Sequence, residues 1–124
     1  MKVYYAHCQA IYGTKQEERD LVLLKSLGFE VLNPNSPEHI EIAVKMKASG
    51  QADRVMDYFS SLVFQCDAVA FRALPDGAVP AGVSKEIGVA TKTNKPVFEL
   101  PSCISRRTIT VEQTREYLAE VGQR

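Results

Sequence analysis

Glu86 is the residue around which a chemical reading of this chain gathers. It lies in Ala81-Gly82-Val83-Ser84-Lys85-Glu86-Ile87-Gly88-Val89-Ala90, just past a loop punctuated by Gly and Pro. A carboxylate in the first or second turn of a helix meets the positive end of the macrodipole and unpaired backbone N–H groups. Both favour an ionised group at neutral pH. In a partly dry cleft such a carboxylate can act as a nucleophile or stabilise developing positive charge. The plainer reading is that acidic residues suit first helical turns whatever the function. His7, at the end of a strand, offers a general acid or a substrate contact, against an ordinary role as a hydrogen-bonded structural histidine. Arg72, just past another strand, offers a contact to phosphate or carboxylate, or is a rim charge.

The elements that must position Glu86 are legible around it. Ala68–Phe71 and Pro96–Leu100 are short apolar runs bounded by turn signals, as buried parallel strands are. Between them a helix starts near Gly82, with Val83, Ile87 and Ala90 on one face. This βαβ unit places its first loop, Gly82 and Glu86 beyond the carboxyl ends of the strands, where open α/β sheets bind ligands. Lys2–Ala6 is the first strand, and the turn after it (His7-Cys8-Gln9-Ala10, Tyr12-Gly13) lies over the same edge. With one Gly and no GxGxxG or Walker pattern, that turn is a weak phosphate site. Lys15–Leu27 is a helix, with Thr14 as cap, Glu17 in the capping-box position and Gly28 as its stop. Phe29–Leu32 is the second strand.

Glu38–Ala48 is weakly patterned and helical, a flap over the site or a simple surface helix, with His39 in solvent. Gln51–Gln65 is the clearest helix. Ala52, Val55, Met56, Phe59, Leu62, Val63 and Cys66 share one face, the mark of core packing or a subunit interface. Asp53 and Asp57 lie off that stripe, in the half of the helix near the carboxyl ends of the strands. Asp67 opens a strand and reads as structural; Asp76-Gly77 reads as a turn. Arg106–Ile109 is a short strand candidate. Thr110 caps a last helix with a packed stripe of Val111, Thr114, Leu118 and Val121.

Composition narrows the function classes. The 124 residues form a single domain (1–124) long enough to bury a core, 45% apolar and 24% charged, with 15 basic residues balancing 15 acidic. That balance speaks against a nucleic-acid polymer as partner. No apolar run is long enough for a membrane span and no signal-peptide core is seen, so a cytoplasmic protein without a membrane partner is expected. Cys8, Cys66 and Cys103 have neither metal spacing nor a CxxC and read as reduced thiols. No metal and no organic cofactor is called for.

The run Cys66-Asp67-Ala68-Val69-Ala70, then Asp76-Gly77, the Ala81–Ala90 stretch and Asn94-Lys95-Pro96-Val97 resembles the nucleoside 2-deoxyribosyltransferase superfamily. Val3-Tyr4-Tyr5-Ala6 is similar to that family's first strand. The resemblance spans Cys66–Leu100, is weak at the N-terminus and is absent as a motif elsewhere. It implies that Glu86 is the catalytic nucleophile. It also implies an upstream acid that donates a proton or positions the base; Asp57 is the nearest match, at a longer spacing from Asp67 than the family's, with Asp53 behind it. In relatives a neighbouring subunit can complete the pocket from the region after the last strand, which points to Ser102 or Ser105 and to a homo-oligomer. The fold expected is a three-layer, flavodoxin- or Rossmann-like α/β sandwich with about five mostly parallel strands.

Two functional classes follow. One is an enzyme that transfers or hydrolyses the N-glycosidic bond of a small-molecule nucleoside or nucleoside 5′-monophosphate. There Glu86 attacks the anomeric carbon or stabilises the oxocarbenium-like state, Asp57 handles protons, and Tyr4 or Tyr5 orients Glu86. The other is a binding module that kept the pocket without chemistry. Gly-Val-Ser in place of the family's frequent Gly-Thr-Ala, the Asp spacing and the first loop favour it. Glu86 and a second carboxylate converging on one pocket would mark the enzyme.

Overall fold

The computed structural model describes residues 1–102 and 110–122. Its central element is β1 (Lys2–Ala6), whose Val3, Tyr4, Tyr5 and Ala6 are fully buried. A strand apolar on both faces belongs inside a parallel sheet covered on both sides. β1 pairs in parallel with β2 (Glu30–Leu32) and β3 (Ala68–Phe71), and β3 with β4 (Val97–Glu99), in the order β2-β1-β3-β4. The register sets Tyr4 opposite Leu32 and Val69, and Ala70 opposite Phe98. Among the described residues the strands number four rather than the five expected, all parallel. The Arg106–Ile109 candidate, like Cys103 and Ser105, lies outside the described residues.

Successive side chains of β1 point to opposite faces, and this alternation divides the core. Val3 and Tyr5 join Ala68, Ala70 and Leu100 on the face covered by α1 (Lys15–Ser26) through Leu24. Tyr4 and Ala6 join Leu32 and Val69 on the other face. There they meet α2 (Pro37–Ala48) through Ala43, α3 (Val55–Val63) through Phe59, Leu62 and Val63, and α4 (Ala81–Lys92) through Val83 and Ala90. The result is three layers, helix on sheet on helices.

Local chemistry sets the helix ends. Thr14 accepts the Glu17 N–H as N-cap of α1, but Glu17 does not close the capping box: its carboxylate takes the Gly13 N–H instead, at 3.3 Å. Gly28, at φ +88°, ends α1 where a side chain would be strained. The expected long helix over Gln51–Gln65 starts as a 3-10 turn (Ala52–Arg54) and becomes α-helical only from Val55, so Ala52 leaves the buried stripe. That narrower first turn follows a tight link from α2, with Gly50 at φ +80° and the Gln51 N–H on the Met46 carbonyl at 2.8 Å. At the other end Lys95 donates to the carbonyls of Val63, Phe64 and Cys66, a cation set on a helix C-terminus.

Two surface expectations change. His39 is half-buried and Nδ1 meets the Tyr58 hydroxyl at 2.6 Å, which ties α2 to α3. The last helix, α5 (Val111–Glu120), has the expected Thr110 cap, completed by Gln113, but not the packed stripe. Only Leu118 is half-buried; Val111 and Val121 are exposed, because no described element covers that face.

Candidate active site

β2 and β3 lie on opposite sides of β1, so the strand order switches direction at β1. The crevice outside its carboxyl end is the position favoured for ligands in such sheets. The chain leaves β1 through His7 and Cys8 into a 3-10 turn (Gln9–Ile11) that carries Tyr12. From the other side α4 enters with Pro80 as N-cap and no side-chain cap. A cavity of about 250 Å³ opens between them, with Pro34 after β2 and Val55, Met56 and Phe59 of α3 completing its wall. That is the size of a small organic molecule. Gly82 also lines it, and a Cβ there would meet the Met56 sulfur at 3.3 Å, so the absent side chain lets α3 and α4 close on each other.

Glu86 falls on the buried stripe of α4 with Val83 and Ala90, three residues before and four after, and is only 5% exposed. The stripe drives a carboxylate into the position of a core residue at the cavity wall. Tyr4 Oη donates to Glu86 Oε2; Tyr5, the alternative, points to the other face. Burial raises the Glu86 carboxyl to about 7, against the Tyr4 hydrogen bond, which lowers it. This shift runs against the ionised form that the helix dipole favours. Glu86 sits in the second turn, where the dipole has faded, and loss of water dominates. Burial, then the charge of Glu86, pushes the Tyr4 phenol well above its ordinary value, so Tyr4 remains the donor.

His7 lines the same cavity, but both ring nitrogens are engaged: Nδ1 with the Tyr5 carbonyl at 3.0 Å and Nε2 with Glu17 at 2.7 Å. Burial holds its imidazole below the ordinary value, while Glu17 and the carbonyl favour the charged form. With both nitrogens engaged by protein groups, the His7 ring contributes to the cavity as a wall. Glu17 also accepts from Asn35 Nδ2 at 3.0 Å, so it ties together the loops after β1 and β2. Tyr12 completes the rim. It packs on His7 with ring centroids 4.8 Å apart, and His7 stacks on Tyr5 at 3.7 Å.

The remaining predicted residues lie elsewhere. Asp57 is exposed, ion-paired with Lys85 at 2.8 Å, and does not line the Glu86 cavity. The Lys85 hydrogen bond and charge hold its carboxyl below the usual range. Asp53 is exposed as well. Arg72 and Ser102 line a second cavity of about 430 Å³ beside α1. Arg72 is not free for a ligand carboxylate or phosphate: Nε and Nη2 clasp Asp20 at 2.9 and 2.6 Å, and Nη1 reaches the Leu100 carbonyl at 3.4 Å. Asp20 also accepts from the Tyr5 hydroxyl at 2.6 Å and from Gln16 at 2.9 Å. Burial pushes Asp20 up, but the hydrogen bonds from Arg72 and Tyr5 and the Arg72 charge outweigh it, and the carboxyl lies below its ordinary value.

Sequence reasoning missed Asp20 and the Asn35 contact to Glu17, and placed Tyr12 over this edge without giving it a role. A signal for Asp20 existed in the spacing of Glu17, Asp20 and Leu24, the buried residues of α1. Among the described residues no group of three or more His, Cys, Asp or Glu is placed to hold a metal ion. No helix among them is long and apolar enough to cross a membrane. Compared with known proteins, the chain matches no family model, no curated protein and no solved structure.

Proposed function

We propose that the Glu86 cavity binds a nucleoside or nucleotide and that Glu86 acts on its N-glycosidic bond, by transfer or hydrolysis. One observation carries this reading. A carboxylate buried at the wall of a cavity, at the switch point of the sheet, has a tyrosine hydroxyl on one oxygen and no cation among the described residues. Such burial is unfavourable for the ionised form, and no ion pair offsets it. A ligand that develops positive charge at its anomeric carbon relieves the penalty most in the transition state, which is where an interaction accelerates a reaction. Tyr4 fixes Oε2 and leaves Oε1 to face the sugar. The resemblance of Cys66–Leu100 to the nucleoside 2-deoxyribosyltransferase superfamily supports the substrate class. The same reading carries a cytoplasmic homo-oligomer, with Ser102 of one copy near the pocket of the next.

One observation favours the second reading, a binding module: no second carboxylate lines the cavity among the described residues, Asp57 being turned to Lys85. Base release from a panel of nucleosides and 5′-monophosphates, with and without an acceptor base, separates the two. Release by the wild type that is lost in Glu86→Ala is the expected result, and acceptor dependence tells transferase from hydrolase. Ligand-induced thermal stabilisation without any turnover establishes the binding module.

A further inference from the structure

We infer that Tyr12 is a catalytic residue that donates a hydrogen bond from its hydroxyl to the base as it departs; this rests on the glycosidic reading above. Glycosidic cleavage needs a group that eases the leaving nitrogen away, and the acid first considered for that task, Asp57, lies outside the cavity. Tyr12 and Glu86 line the same small cavity. The Tyr12 ring is held by the Tyr5–His7–Tyr12 stack, with His7 fixed by Glu17, and its backbone N–H is bound to the Gln9 carbonyl at 3.1 Å. Of the other buried donors at the wall, Tyr4 is committed to Glu86, and both His7 nitrogens to Glu17 and the Tyr5 carbonyl; the Gln9 amide also lines the cavity, but Gln9 is exposed. The Tyr12 hydroxyl makes no hydrogen bond among the described residues. Burial, with the charges of Glu86 and Glu17, pushes it up to about 12, so it stays protonated over the whole working range of pH.

In the step that follows from this placement, Glu86 Oε1 forms a bond to the anomeric carbon as the bond from that carbon to the base nitrogen breaks. The electron pair leaves with the base, and the Tyr12 O–H stabilises the charge gathering on the base. The departing base takes its proton from solvent water, and Tyr12 keeps its own. Water, or the N–H of an acceptor base, then attacks the anomeric carbon, releases Glu86 and gives up a proton to solvent.

The test compares wild type and Tyr12→Phe in single-turnover base release, with two substrates. One is an ordinary purine 2′-deoxynucleoside; the other is its N7-methylated form, whose base departs as a neutral molecule and builds up no negative charge. Loss of one preorganised donor lowers such rates by about 10²-fold. The expected result is a loss of that order for the ordinary substrate and a change within about threefold for the methylated one. Equal losses on both substrates, or no loss on either, overturn the role of Tyr12 while the glycosidic reading stands. Absence of base release from both substrates by the wild type overturns the two together.

Discussion

Tyr4 and Tyr5 are neighbours in β1, and each donates its hydroxyl to a buried carboxylate, Glu86 on one face of the sheet and Asp20 on the other. The surroundings differ. Asp20 receives a bidentate guanidinium, a phenol and an amide, and its carboxyl is held below the ordinary value. Glu86 receives the phenol alone, faces a cavity, and is raised to about 7. A buried charge with every lone pair engaged is part of the architecture, since removal of either partner strands the other. A buried carboxylate left half-satisfied beside open volume is unfavourable for stability, and a group of that kind in a cleft is a candidate for a functional site.

The largest expected effect separates the two in activity. Glu86→Gln lowers base release by at least about 10³-fold, roughly 4 kcal/mol of transition-state stabilisation, while the far-UV circular dichroism stays that of the wild type. Arg72→Met reverses the emphasis. It leaves Asp20 buried without its cation and lowers the unfolding free energy by about 3–5 kcal/mol in urea titrations. A loss below about 1 kcal/mol would mean that water reaches Asp20 and that the two faces are less different than their hydrogen bonding implies.

The third effect is a pH dependence of stability with opposite signs on the two faces. The folded-state value of Glu86 is raised, so the protein binds that proton more tightly folded than unfolded. The resulting penalty is absent below the unfolded value, near 4.5, and grows until pH passes about 7. Glu86→Gln should therefore be no more stable than wild type at pH 4 and more stable by about 3 kcal/mol at pH 8, read from urea midpoints at each pH. Asp20, whose folded value is lowered, contributes stability that is present above the ordinary carboxylate range and is lost on acidification. A smaller change comes from Tyr4→Phe. With its donor gone the Glu86 carboxyl moves above about 7, and the lower limb of the pH–rate profile shifts upward with it. The smallest is Asp57→Asn, which should leave base release unchanged, because the exposed pair with Lys85 lies off the cavity.

The parts of this arrangement that were legible in the sequence are those fixed by local pattern. β1 and β3 follow from short apolar runs, α4 from the spacing of Val83, Ile87 and Ala90, and the placing of Glu86 at the sheet edge from the βαβ unit they make. The upward shift of the Glu86 carboxyl was not legible, because burial is a tertiary property that the dipole of its own helix cannot report. Asp20 was hidden for a different reason. Leu21, Val22, Leu23 and Leu24 are apolar in succession, so they do not fix which side of α1 faces the sheet; the structure buries Leu24 and exposes Val22. The sequence offers Arg72 as a contact to phosphate or carboxylate, or as a rim charge, because its actual partner is 52 residues away. The α5 stripe shows the limit of periodicity, which marks a face that favours cover without naming what covers it.

The contrast between the two carboxylates is tested most directly by titrating both in one sample, with carbon-13 chemical shifts of the Glu86 and Asp20 carboxyl groups followed from pH 3 to pH 9. The account predicts that Glu86 titrates near pH 7 and that Asp20 titrates below its ordinary value. A Glu86 that titrates with the ordinary exposed carboxylates, near 4.5, would contradict it.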